Sequence, residues 1–185
     1  MARSSDPVIP VLKSLIGQQR GYLSQIVETE ESPVCATMAE ILLVEDDPVD
    51  LQLTLRELGM DNRIRIEVAR DGEEALDFLF CRGAYEGRSQ SNPPRLVLLD
   101  LKLPKIDGLQ VPREIKARPE TRANPVVAST WSTEERDVVE SYRLGVNSYI
   151  QKPVDFEKFR VTIRAVGIYW ATVNQAPPQK AFAPV

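Results

Sequence analysis

Between residues 40 and 170 the chain alternates short apolar runs with amphipathic segments. Ile41 to Val44 is a continuous apolar run that stops at Glu45-Asp46-Asp47. Pro48 then opens a helical pattern through Leu51, Leu55 and Leu58, ended by Gly59. Ile64 to Val68 alternates with period two, as a strand with one covered face does. Asp71-Gly72 makes a turn, and Ala75, Leu76 and Leu79 share one side of a second helix. Residues 82 to 95 form a polar loop punctuated by Gly and Pro. Leu96 to Leu99 reads as a buried strand ending at Asp100, and Leu109 to Ala117 as a short helix that admits Pro112 in its first turn. Pro125 to Ser129 is a fourth strand and Thr133 to Leu144 a helix that Gly145 closes. Asn147 to Gln151 is a fifth strand, and a last helix runs from Asp155, its N-cap, to about Trp170.

Five β-α units in series predict an α/β fold: a parallel sheet with right-handed crossovers and helices on both faces. Ligands of such sheets bind beyond the carboxyl ends of the strands. That rule selects Glu45, Asp46, Asp47, Asp100, Thr130 and Lys152, which are dispersed in sequence but gathered at one edge of the predicted sheet.

Each of these residues alone has an ordinary explanation. Acids after strands are commonly solvated loop charges, and Thr is common at strand ends. Their joint occurrence after strands one, three, four and five points to chemistry. Three carboxylates brought close repel one another without a cation. An all-oxygen donor set favours a hard ion such as Mg²⁺, with room left for a phosphoryl group. An aspartate can act as a covalent nucleophile, and phosphoryl transfer needs mainly positioning and charge neutralisation. Lys152 supplies a point charge suited to phosphate, and the Thr130 hydroxyl a hydrogen bond.

Composition narrows the picture. The chain has 185 residues, a net charge of −4 and no histidine. The missing histidine excludes a Ser-His-Asp triad, a Cys-His pair, a His-based metal cage and a phosphohistidine on this chain. No basic stripe points to direct nucleic-acid binding, and no apolar run is long enough for a membrane span. Cys35 and Cys81 lack metal spacing and suit a reducing, cytoplasmic location without a disulfide.

In their order and spacing, ILLVEDDP, LVLLDLKLPKIDG, PVVASTWS and NSYIQKP resemble the receiver domains of two-component response regulators. The resemblance covers residues 39 to 170. It implies a flavodoxin-like (βα)5 fold with strand order 2-1-3-4-5. It also implies that Asp100 is the phosphoacceptor, with Asp46 a direct Mg²⁺ ligand, Glu45 acting through water and the Lys102 backbone carbonyl as a further ligand. Thr130, Lys152 and Tyr149 match the switch hydroxyl, lysine and switch aromatic. Asp47 matches a variable third acid outside the core site, and Asp107-Gly108 a structural turn. The domain is expected over residues 38–171, between an extension (1–37) and a Pro-rich tail (172–185).

Finer features, among them the long 82–95 loop, SYRLGVNSYIQKPVDFEKF and the IYW ending, resemble single-domain regulators paired with phytochrome-type sensor kinases. That resemblance implies a bacteriophytochrome histidine kinase as phosphodonor. It also implies a homodimer built with the last helix, with Ile168, Tyr169 and Trp170 as contact candidates. The same apolar residues also fit simple core packing. Residues 1–37 read either as an upstream extension before a true start at Met38 or, through Val11 to Val27, as a docking helix. No pattern of a DNA-binding or enzymatic output domain follows the receiver.

Two residues depart from the family pattern. Trp131 stands where a small residue is usual; it can shield an acyl phosphate, slow phosphotransfer or face a partner. Ser129 replaces an apolar residue. Both bear on phosphorylation kinetics rather than on the acceptor. The chain is therefore expected to be a phosphoacceptor rather than an enzyme. The alternatives are a phosphorylation-inactive receiver acting as a dimeric interaction module, and a phosphatase of the haloacid dehalogenase class. The phosphatase class wants a second acid two residues after the nucleophile, where this chain has Lys102.

Overall fold

The computed structural model describes residues 39–60, 64–90, 92–106 and 108–175. Residues 1–37, with Val11 to Val27 and Cys35, together with Met38, Asp107 and tail residues 176–185, lie outside the described residues. Five parallel strands form one sheet: β1 (Ala39–Val44), β2 (Ile64–Ala69), β3 (Leu96–Leu99), β4 (Val126–Thr130) and β5 (Ser148–Gln151). Their order is β2-β1-β3-β4-β5, as the resemblance implied. The helices are α1 (Pro48–Leu58), α2 (Gly72–Leu79), α3 (Gln110–Ala117), α4 (Glu135–Arg143) and α5 (Phe156–Ile168).

The apolar runs explain this arrangement. β1, β3 and β4 are central strands and need cover on both faces. Alternate residues serve opposite layers. Leu42, Val44, Val97, Leu99, Val126 and Ala128 pack with residues of α2 and α3. Ile41, Leu43, Leu96, Leu98 and Val127 pack with residues of α1 and α5. Fully buried Leu and Ile side chains each contribute about 1.5–3 kcal/mol to this core. β2, at an edge, does not keep the strict alternation of its sequence: it is buried at Ile64 and Ala69, and Ile66, Glu67 and Val68 are all half-buried.

Capping fixes the helix starts. The Asp47 carboxylate accepts from the amides of Val49 (2.8 Å) and Asp50 (2.9 Å), with Pro48 opening α1. Asp71 and Asp155 cap α2 and α5 in the same way. Gly145 follows α4 at φ 86°, a left-handed conformation that suits glycine. At Gly108 a Cβ would lie 2.3 Å from the Leu101 carbonyl oxygen, so only glycine lets the loop after β3 close this tightly.

Boundaries moved where the physics was local. β4 starts at Val126 and includes Thr130, which pairs with Gln151; Pro125 has no N–H, and its carbonyl accepts from Val97. α4 starts at Glu135, because Ser132 bonds to Asp137 and Glu134 and holds the preceding turn. α5 ends at Ile168 and continues as a π-helical turn, Tyr169–Val173. That turn folds Ala171 and Trp170 onto the α1–α5 side of the core, and Arg95 donates to the Ala171 carbonyl at 3.1 Å. Trp170 thus serves the core, while Tyr169 is 49% exposed. Glu57 joins α1 to α5: its carboxylate, 1% exposed, takes Arg160 Nε and an Arg164 guanidinium nitrogen at 2.6 Å each.

Candidate functional site

Sheet hydrogen bonding carries on past the strand ends and builds the site. The Glu45 amide donates to Ala69 O (3.0 Å), the Asp100 amide to Val44 O (3.0 Å) and the Lys152 amide to Thr130 O (2.8 Å). Val44 pairs with Leu99, so Glu45 and Asp100 emerge side by side. Lys152 comes from across β4.

The Lys152 ammonium lies among three carboxylates: Glu45 Oε2 at 2.7 Å, Asp50 Oδ2 at 2.8 Å and Asp100 Oδ2 at 2.6 Å. All four residues are buried. The remaining carboxylate oxygens are oriented by the backbone. Asp100 Oδ1 accepts from the Lys102 amide at 2.9 Å, and Glu45 Oε1 from the Asp47 amide at 3.2 Å. Burial pushes the Glu45 carboxyl up to about 7, although Lys152 pulls it down. Burial alone would lower the Lys152 ammonium; Glu45 and Asp100 outweigh it and hold it above the ordinary lysine range.

One ammonium facing three carboxylates leaves two formal negative charges. One oxygen of each of Glu45, Asp50 and Asp100 lies within 4.8 Å of the others. An all-oxygen, doubly negative set fits a hard divalent cation.

Two features surround this pocket. Thr130 is fully buried, and its hydroxyl accepts from the Ser132 amide at 3.3 Å. The Tyr149 hydroxyl donates to the Ser132 carbonyl at 3.3 Å, and burial raises its pKa. Thr130 and Tyr149 therefore meet at Ser132. The Lys102 side chain points to Asp137 at 3.6 Å.

The structure brings Glu45, Asp100 and Lys152 together, and the Thr130 carbonyl accepts the Lys152 ladder bond. Asp46 is exposed and stands outside the three-carboxylate cluster, and Asp47 is a helix cap. Sequence reasoning missed Asp50. A signal existed: Asp50, Thr54 and Glu57 fall on one stripe of α1, and all are buried. Their 3.6-residue spacing marks an inward face despite their polarity. Trp131 was singled out, but its partner was not: its indole Nε1–H donates to Asp50 Oδ2 at 2.8 Å.

Comparison with known proteins defines the class. A family model described as response regulator receiver domain matches residues 41–164. The chain belongs to the response regulator receiver family. It is 44% identical over 140 residues to the probable methanogenesis regulatory protein FilR2 of Methanothrix harundinacea, covering 74% of this chain and 86% of that protein. It is 40% identical to response regulator Rcp1 of Synechocystis, covering 74% of this chain and 92% of that protein. The crystal structure of the Mn(2+)-bound form of Rcp1 superposes with a TM-score of 0.70 at 36% identity, covering 75% of this chain and 99% of that one. The bacteriophytochrome response regulator AtBRR gives 0.59 at 48% identity, covering 75% and 99%. Receivers are phosphoacceptor signalling modules of two-component systems that bind Mg²⁺ or Mn²⁺ at an acidic site. Among the described residues no helix is long and apolar enough to cross a membrane.

Proposed function

We propose that the chain is a phosphoreceiver in which Asp100 takes a phosphoryl group from the phosphohistidine of a separate sensor kinase. The contact that carries this reading is Lys152 Nζ to Asp100 Oδ2 at 2.6 Å, inside the acidic pocket. An Asp100 oxygen attacks phosphorus, the P–N bond of the phosphohistidine breaks, and the imidazole leaves with the electron pair. Hydrolysis of the resulting acyl phosphate releases inorganic phosphate and restores the carboxylate. Asp100 and Glu45, with the Asp46 carboxylate and Lys102 carbonyl that the resemblance implies, would hold Mg²⁺, exposed Asp46 joining the buried acids from outside their cluster; the ion would neutralise charge on the phosphoryl oxygens.

Lys152 steadies the acceptor and then the phosphoryl oxygens. The Thr130 hydroxyl leaves the Ser132 amide for the phosphoryl group. Ser132 also holds the Tyr149 hydroxyl, so that shift reaches Tyr149 and the surface of α4 and β5. Output is docking to other proteins in the cytoplasm, with no direct contact to nucleic acid. Likeness to Rcp1 and AtBRR supports a phytochrome-type kinase as donor. A homodimer through Ile168 and Tyr169 completes the reading, with Trp170 stiffening that surface from inside.

The test is incubation with Mg²⁺ and acetyl phosphate followed by intact mass. A phosphoryl adduct that disappears in Asp100→Asn supports the reading. No adduct, even with a panel of phosphorylated histidine kinases, overturns it in favour of a phosphorylation-inactive interaction module.

A further inference from the structure

We propose that Asp50 is a positioning residue for Lys152, and that the Trp131 indole holds Asp50 in place; this rests on Asp100 being the phosphoacceptor. An ammonium has three N–H donors. Those of Lys152 are taken by Glu45 after β1, Asp50 on α1 and Asp100 after β3. Three anchors on separate elements fix the nitrogen in space; two would leave it free to swing about the line joining them. Asp50 is the anchor that neither carries the phosphoryl group nor follows a strand.

Asp50 Oδ2 is shared. It accepts from Lys152 at 2.8 Å and from Trp131 Nε1 at 2.8 Å. Trp131 is 48% exposed, so burial alone does not explain its orientation. Its N–H bond to a carboxylate is charge-assisted and of the stronger kind. The loop after β4 is thereby connected through Asp50 to the ammonium that faces the acceptor. The residue next to Thr130 acts at a distance from the phosphoryl group, by setting where Lys152 rests.

The experiment uses the full chain. Phosphorylation by acetyl phosphate with Mg²⁺ is timed by intact mass in wild type, Asp50→Asn, Trp131→Phe and the double variant, with melting midpoints checked in parallel. Asp50→Asn keeps an acceptor for the indole but loses the charge that holds Lys152. It should slow adduct formation by about 10-fold, as for other groups that orient a reactive side chain. Trp131→Phe should slow it less, and the double variant no more than Asp50→Asn, because the indole acts through Asp50. Wild-type rates in Asp50→Asn, or independent slowing by the two changes, would overturn the proposal. A second measurement needs no phosphate: the ¹⁵N-indole resonance of Trp131 in a Trp170→Phe background. Lys152→Gln should move it when Asp50 is present and leave it in place in Asp50→Ala. An unmoved resonance with Asp50 present sinks the proposal. If wild type takes no phosphate, the reading of Asp100 falls, and the resonance still decides whether the indole and the ammonium are coupled.

Discussion

Lys152 Nζ and Asp100 Oδ2 stand 2.6 Å apart, with side chains 1% and 6% exposed. The ammonium is the main counter-charge to a cluster that is otherwise all acid. Replacing it with Lys152→Met should cost about 3 kcal/mol at pH 7 in metal-free buffer, because breaking a buried ion pair leaves its partner charges uncompensated. Urea denaturation measures this, and an unchanged midpoint would show that the carboxylates do not depend on the lysine.

The opposite change is expected at the acceptor. Asp100→Asn removes one of three crowded negative charges, and functional sites commonly trade stability for activity. The variant should be more stable than wild type by about 1 kcal/mol in metal-free buffer. Added Mg²⁺ should raise the melting midpoint of wild type and have much less effect on the variant. A variant that melts lower than wild type without metal contradicts this account.

Glu57 gives a pH signature far from the site. Its burial works against ionisation, but the hydrogen bonds and charges of Arg160 and Arg164 outweigh it and hold the carboxyl below its ordinary 4.5. A depressed carboxyl stabilises the fold above its unfolded pKa, and that contribution is lost as pH falls through the lower folded value. Glu57→Gln should therefore cost about 1–3 kcal/mol at pH 7. The gap to wild type should close below pH 4.5. Paired urea titrations at several pH values check this; a gap independent of pH would refute it.

Gly108→Ala should destabilise by about 1–3 kcal/mol or more through overpacking, because the clash is with the Leu101 backbone rather than a movable side chain. The same shift displaces the loop that carries Lys102, so Mg²⁺ affinity should drop alongside the melting midpoint. Normal metal titration in a destabilised variant would separate the two effects.

The homodimer is tested without cutting the helix, since truncation before Ile168 would also remove the core contacts of Trp170 and Ala171. Tyr169→Arg leaves those contacts in place. Light scattering should give a two-subunit mass for the full chain and a lower mass for the variant. A monomeric wild type ends that proposal.

The fold was readable because apolar runs mark the strands, unbroken at Ile41 to Val44 and Leu96 to Leu99, and the chemistry of a parallel sheet gathers just past its strand ends. Glu45, Asp100, Thr130 and Lys152 were found by that rule. Asp50 was hidden because it lies within a helix, where an aspartate three residues after a cap suggests a solvated first turn. Its burial comes from Lys152 and Trp131, both distant in sequence. The π-helical turn was also invisible. IYW continues the helical period, and only packing against the core decides how the chain winds there.

Three amides place the chemistry. Glu45, Asp100 and Lys152 each extend the hydrogen bonding of the sheet by one step past a strand end. Their exchange with solvent deuterium should match the slowest core amides, since releasing any of them means opening the sheet. Trp131 and the 102–106 loop are held through side chains instead, Trp131 by Asp50, Lys102 by Asp100 and Lys105 by Asp71. The molecule thus joins an anvil to a spring: the nucleophile stays where the sheet sets it, while the neighbouring loops are held by side-chain bonds that can be exchanged one at a time.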